Sequence, residues 1–141
     1  MALATARPTA TPTPATEVTR SVAYTNVDDE PKKLDVHVPS QSGPWPVVVV
    51  VHRFHLSRFN PEPLARAIAS QGAVVFNIDV ALSVPVLPTI ERLACAIRFA
   101  RAATPDHGGG PSRVTVVGSS GGAAIGIVVG LARDDFEGDR S

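Results

Sequence analysis

The chain has 141 residues, 44% hydrophobic and 18% charged, which suits one globular domain with a real core and not a disordered chain. Its 13 basic and 13 acidic residues cancel, so no net field favours nucleic acid or an anionic lipid surface, and no strongly charged substrate is implied. The single cysteine, Cys95, excludes an intramolecular disulfide and a metal site with paired thiolates, and the longest apolar run, 47–51, is far too short to span a bilayer.

Residues 1–17 are rich in Thr, Ala and Pro (Pro8, Pro12, Pro14) and read as an extended flexible tail. The start lacks the apolar stretch of a signal peptide, although tails of this composition often lie between an export signal and a folded domain, a lean toward an extracytoplasmic origin. The folded domain is placed at 18–133, and 134–141 reads as a polar C-terminal tail. Residues 21–26 and 34–38 alternate apolar and polar around a turn at Asp28-Asp29-Glu30-Pro31, which predicts an antiparallel hairpin at a sheet edge. On that pattern Asp35 and His37 face solvent, and His37 has no catalytic role.

Gly43-Pro44-Trp45-Pro46 is a rigid turn, and 47–51 is a β-branched run suited to a strand buried on both faces. A loop at 52–61 precedes a helix at 63–71, with Pro63 in its first turn and Gly72 just past its end. Residues 73–78 form a second buried strand, and 81–88 is irregular and broken by proline. Thr89 then caps a helix at 90–103 with Ile90, Leu93, Ala94 and Ile97 on one face, among which Cys95 is a small packing residue. A glycine-rich loop at 106–112, a third buried strand at 114–117 and a small-residue helix at 121–132 complete the pattern. Alternation of this kind implies an α/β fold with a mostly parallel sheet, an antiparallel N-terminal hairpin and helices on both faces.

The third strand runs into Gly118-Ser119-Ser120-Gly121-Gly122 and then directly into a helix. A serine becomes a nucleophile when its oxygen stands clear of the backbone and meets a general base. A sharp strand-to-helix turn provides the first condition, and its strain requires small residues on either side. Gly118 and Gly122 stand two positions from Ser120, and the Gly121 N–H at the helix start would face a developing oxyanion. A glycine-rich turn without chemistry is the plainer reading. A nucleotide-binding turn is disfavoured, because Ser120 stands where the fingerprint needs its second glycine and no phosphate-loop lysine is present.

At these residues the sequence resembles α/β-hydrolases of the esterase/lipase kind with a His-Gly-Gly-Gly oxyanion motif. The resemblance runs from about Val22 to Leu131. It is carried by Lys33-Leu34-Asp35-Val36-His37-Val38-Pro39, by Trp45-Pro46 leading through the valine run to His52, by 64–77 and 93–101, and by Pro111-Ser112-Arg113-Val114-Thr115-Val116-Val117-Gly118. It implies hydrolysis of a small carboxylic ester through an acyl-serine at Ser120, with Gly121 donating to the oxyanion and no cofactor or metal.

Three departures follow from the same comparison. Where the family has His and a glycine run after its first parallel strand, this chain has His52-Arg53-Phe54-His55, so Arg53 and Phe54 supply the second oxyanion N–H. His107-Gly108-Gly109-Gly110 spells the family motif but precedes the nucleophile strand, and is a loop coincidence. Ser119 stands where many relatives have histidine. Above all, the family order is Ser, acid, His, whereas all four histidines here (His37, His52, His55, His107) precede Ser120, and Asp134, Asp135 and Asp139 follow too soon to be the acid. His52 or His55 is a stand-in base only against the geometry the resemblance implies.

The fold is therefore read as an α/β-hydrolase sheet truncated after the nucleophile helix, with Val114, Thr115, Val116 and Val117 left as an apolar edge open to self-association. Its function is read as a serine ester hydrolase, inactive or impaired as this chain alone. The alternatives are a non-catalytic α/β binding module and a half-enzyme completed by a partner chain.

Overall fold

A computed structural model describes residues 15–27, 30–80 and 84–132. Of the tails expected at 1–17 and 134–141, residues 1–14 and 134–141 lie outside the described residues, as do 133, Asp28-Asp29 and 81–83, whereas Thr16 and Glu17 already belong to the first strand. The elements in chain order are β1 (Thr16–Val27), β2 (Glu30–Pro39), β3 (Trp45–Val51), α1 (Glu62–Ser70), β4 (Val74–Ile78), α2 (Leu87–Ala103), a 3-10 turn (Thr104–His107), β5 (Gly109–Gly118) and α3 (Gly121–Ala132).

The five strands lie in the order β1-β2-β4-β3-β5. β1 and β2 form the antiparallel hairpin, β2 joins β4 antiparallel, and β4, β3 and β5 run parallel. This is the α/β sheet with an antiparallel edge that the sequence predicts. The chain leaves β3 through α1 to β4 on one side, then crosses back through α2 to β5 on the other. The carboxyl ends of β3 and β5 therefore flank a topological switch point, where open α/β sheets form their ligand crevice.

The valine run explains why β3 sits at the centre. Val47, Val49 and Val51 enter the main core with Leu34, Val36, Phe76, Leu93, Ile97, Ala100, Ile125 and Val129, beneath α2 and α3. Val50 enters a second core with Val75 under Ala65 and Ala69 of α1. Alanines at an i, i+4 spacing let α1 approach the sheet closely, and Glu62 in its first turn complements the helix dipole. Each fully buried aliphatic or aromatic side chain contributes roughly 1.5–3 kcal/mol of transfer free energy.

The structure corrects several expectations. Asp35 and His37 are buried, not solvent-facing. Their face of the sheet, shared with Asn77 and Val75 in register, is covered by α1 and by the loop after β3, so alternation here marks a polar buried face and not an exposed one. Thr89 does not cap α2: the helix begins at Leu87, and Thr89 is buried inside its first turn. The 106–112 loop is a 3-10 turn followed by β5, which begins at Gly109. Cys95 is half-buried.

Residues 114–117 are the sheet edge opposite β1, as the truncated reading expects, and so are less buried than a third buried strand would be: Thr115 is exposed and Val114, Val116 and Val117 are half-buried. Among the described residues nothing pairs with its outer side. A cleft of about 390 Å³ beside it is lined by Val116, Val117, Gly118, Ala123, Gly126 and Ile127. Ile127 and Leu131 of α3 project nearby surfaces that are 62% and 80% exposed.

Candidate active site

Ser120 sits in the turn between β5 and α3, exposed, with φ 52°. A left-handed backbone at a non-glycine residue costs roughly 1–2 kcal/mol and persists only where neighbouring structure imposes it. Two constraints impose it here. Ser119 N–H donates to the Val51 carbonyl at 3.3 Å, tying the turn to the end of β3. Ala123 N–H and Ala124 N–H both donate to the Ser120 carbonyl, at 3.0 and 3.1 Å, so α3 starts immediately.

Such a turn admits no bulk on its inner side. A Cβ at Gly122 would lie 2.3 Å from the His52 carbonyl oxygen, and one at Gly118 would lie 2.5 Å from the Ala123 nitrogen. A Cβ at Gly121 would stand 2.1 Å from the Phe54 ring. The glycines at these positions thus let α3 start against the loop that follows β3. Gly121 N–H has no backbone acceptor among the described residues, as befits a first-turn donor.

The structure brings Phe54 and the backbone of His52 against the Ser120 turn. Arg53 is exposed between them, and His55, with φ 60°, is also exposed. The His52 ring points elsewhere. Its side chain is fully buried, with Nδ1 2.8 Å from the Arg53 carbonyl oxygen and Nε2 3.1 Å from Asp79 Oδ1. The ring is committed to these groups and is not available as a base for Ser120. His107 packs edge-on to Phe76. Its neighbour Gly109 pairs with Trp45 while Gly118 pairs with Val51, so the His107-Gly108-Gly109-Gly110 sequence lies at the far end of β3, about 20 Å of strand from Ser120.

Beneath the loop lies a charged network that linear reading missed. Arg58, itself buried, donates from Nε to Asp35 Oδ1 at 3.1 Å, from Nη1 to Asp79 Oδ2 at 3.2 Å and from Nη2 to Ser21 Oγ at 3.0 Å. Asp35 also accepts from Ser21 N–H at 2.8 Å and from Arg20 Nη1 at 3.1 Å. A register shift in β1 between Thr19 and Val22, with Ser21 at φ 57°, turns that N–H inward. Arg20 reaches on to Glu62, which Arg66 also holds. Hydrogen bonds from Arg20 and Arg66 pull the Glu62 carboxyl down to about 2. Burial pushes the Asp79 carboxyl up, but His52 and Arg58 more than offset it, leaving it below its ordinary value. The signal for this network was present as acidic and amide residues inside strands (Asp35, Asn77). Its assembly depends on the pairing of Asp35 with Asn77 across β2 and β4.

No cluster of His, Cys, Asp and Glu suited to a metal ion occurs among the described residues, and no helix among them is long and apolar enough to cross a membrane.

No family model matches the sequence, and no curated relative matches it either. Solved structures do. Esterase B from Lactobacillus rhamnosis, in an inhibited form, superposes with a TM-score of 0.69 at 20% identity, over 78% of this chain and 38% of its own. A bacterial heroin esterase matches with a TM-score of 0.69 at 21% identity, over 88% of this chain and 41% of its own. An esterase from the archaeon Pyrobaculum calidifontis gives 0.67 at 21% identity, over 86% and 40%. The chain thus spans about two fifths of the length of these structures. This superposition over most of the chain identifies the fold as that of the α/β-hydrolases, of which this chain covers a part.

Proposed function

We propose that this chain carries the nucleophile side of a serine ester hydrolase, with Ser120 as nucleophile. The observation that supports the reading is the left-handed turn at Ser120. It stands at the switch point between β3 and β5, with α3 starting at the next residue. The esterases of the same fold make a carboxylic ester of a small molecule the substrate class to test.

In this reading Ser120 Oγ attacks the ester carbonyl carbon, and the negative charge moves to the carbonyl oxygen. Gly121 N–H at the start of α3 and a backbone N–H from Arg53 or Phe54 stabilise that oxyanion. Collapse expels the alcohol and leaves an acyl-serine, which water then hydrolyses. The hydroxyl proton needs an acceptor. No histidine follows Ser120 in these 141 residues, and His52 is engaged by Asp79. The base and its acid are therefore assigned to a further polypeptide segment, contiguous or supplied in trans. Without them, catalysis falls to what binding and the oxyanion donors provide. The open edge at Val114, Thr115, Val116 and Val117 is the place where such a segment, or a second copy of this chain, would pair.

The test is labelling with a fluorophosphonate probe, with the adduct located by peptide mass spectrometry. A phosphonyl adduct on Ser120, absent from Ser120→Ala, supports the reading. Labelling that survives in Ser120→Ala, or none at all even when the chain is expressed together with the polypeptide encoded downstream of it, assigns the chain to the non-catalytic alternative.

A further inference from the structure

Asp79 follows β4 directly and stands under the loop that joins β3 to α1. Its two carboxylate oxygens face opposite ends of that loop. Oδ1 lies 3.1 Å from His52 Nε2, at the loop's first residue, and Oδ2 accepts from Arg58 Nη1 at 3.2 Å, six residues on. The Arg58 end is fixed a second time. Its Nε donates to fully buried Asp35, and its carbonyl oxygen accepts from Asn77 Nδ2 at 2.7 Å. The Asp79 carbonyl in turn accepts from Tyr24 Oη at 2.7 Å, and its N–H donates to the Lys33 carbonyl, so the backbone that carries the carboxylate is tied to β1 and β2.

We propose that Asp79 is a positioning residue for the candidate active site: by holding His52 with one oxygen and Arg58 with the other, it closes residues 53–57 into a fixed span that packs on the Ser120 turn through Phe54. Phe54 lies inside this span, and its ring occupies the space beside Gly121. His52 lies at its root, with its carbonyl against Gly122. In the glycine-rich version of such a loop, approach of the amides comes from the absence of side chains. Here the loop carries Arg53 and Phe54, and the double-ended carboxylate replaces that freedom with a clamp. The Arg58–Asp79 contact is charge-assisted, stronger than a neutral hydrogen bond, and sets direction as well as distance; at the other end His52 Nε2 is seated between Asp79 Oδ1 and the Val80 N–H, 3.4 Å away. Asp79 touches no reacting atom and acts through the loop.

The labelling part of the test rests on the nucleophile reading of Ser120; the exchange part does not. Asp79→Asn keeps the shape but removes the charge and one acceptor oxygen. Arg58→Lys keeps the positive charge but cannot bridge Asp35 and Asp79. Backbone hydrogen exchange would be followed by mass spectrometry in both full-length variants, with Ser120 inactivation by a fluorophosphonate measured across probe concentrations.

Expected is an exchange rate about tenfold faster or more for the amides of 53–57, with β3 and β4 unchanged, since a local opening is released without global unfolding. Expected alongside is a several-fold lower maximal inactivation rate at an unchanged half-saturating probe concentration, a split that general loosening does not give. A folded Asp79→Asn whose 53–57 exchange matches wild type overturns the proposal. Should Asp79→Asn fail to fold, Arg58→Lys decides by the same exchange reading. Wild-type Ser120 that takes no probe even with the downstream-encoded polypeptide present sinks the nucleophile reading and leaves the clamp to be judged on exchange.

Discussion

The ring of Phe54 occupies the space that a side chain at Gly121 would need: a Cβ there would fall 2.1 Å from ring carbon Cδ2 and 2.2 Å from Cε2. The two residues come from different crossings of the sheet, and their contact joins the loop after β3 to the first turn of α3. Gly121→Ala should therefore destabilise the fold by roughly 1–3 kcal/mol, the usual cost of overpacking a fitted site. In a Phe54→Ala background the same substitution should cost much less, with a coupling of about 0.5–3 kcal/mol. Urea unfolding of the two single variants and the double variant measures this. Strict additivity would show that the ring moves aside at no cost.

Ser120 holds a left-handed backbone that glycine adopts without strain. Ser120→Gly is expected to stabilise the chain by about 1 kcal/mol, whereas Ser120→Ala keeps the strain and leaves stability near wild type. Both remove the hydroxyl. A higher urea midpoint for the glycine variant alone would mark a position where a side chain is retained against stability, as functional turns do. Equal midpoints would mean that the turn relaxes around φ.

Much of this architecture was legible because periodicity and punctuation agree with tertiary packing. The valine run at 47–51 is apolar on both faces and is the central strand. Gly118, Gly121 and Gly122 around Ser120 each answer to a named close approach. His37 and Asp35 were misread for a physical reason. Alternation in a strand reports two different faces, and does not say which one meets water. Here α1 covers the second face, and its Asp35 belongs to a network with Arg20, Arg58, Asp79 and Glu62. Those residues are scattered from Arg20 to Asp79 and share no spacing rule. Thr89 was a sound cap by composition, but Pro88 already suits a helix's first turn, and α2 begins two residues before Thr89.

His37 gives a pH test of that covered face. It is fully buried, and neither ring nitrogen has a hydrogen-bond partner. Burial pushes its pKa below the ordinary value of 6.5; the nearby charges have smaller effects, Glu62 and Asp35 upward and Arg66 and Arg20 downward. The unfolded chain then binds more protons than the folded one as pH falls below 6.5, so stability must drop over that window and be fully present above it. His37→Phe, which has no titrating group, should flatten this part of the pH dependence of the urea midpoint. A profile unchanged between the two proteins would place the titration elsewhere.

Asp35 is the most enclosed charge in the network, fully buried between Arg20 and Arg58. Removing one partner of a buried ion pair leaves the other uncompensated, at a cost of about 3–5 kcal/mol. Asp35→Ala should approach that loss, because buried Arg58 would keep only Asp79 and Ser21. Arg66→Ala, in contrast, removes an exposed partner of Glu62 and should cost under about 1 kcal/mol. Thermal or urea denaturation of the two variants side by side reads the difference. Similar losses would mean that water reaches Asp35.

The β5 edge sets the last expectation. Backbone N–H and C=O groups on an unpaired strand invite another strand, and the apolar surfaces of Ile127 and Leu131 add to that attraction. Thr115 is exposed in the middle of this strand, opposite Val48 of β3 in register. A lysine there keeps the pairing with β3 but introduces a charge that an added strand would have to desolvate. Thr115→Lys should therefore shift the chain toward monomer in sedimentation velocity at matched concentrations, with little change in melting of the monomer itself. Added polypeptide that pairs with β5 should protect the same strand from hydrogen exchange and be weakened by the same substitution. If wild type and Thr115→Lys sediment alike as monomers over a wide concentration range, the edge is not a pairing surface between copies.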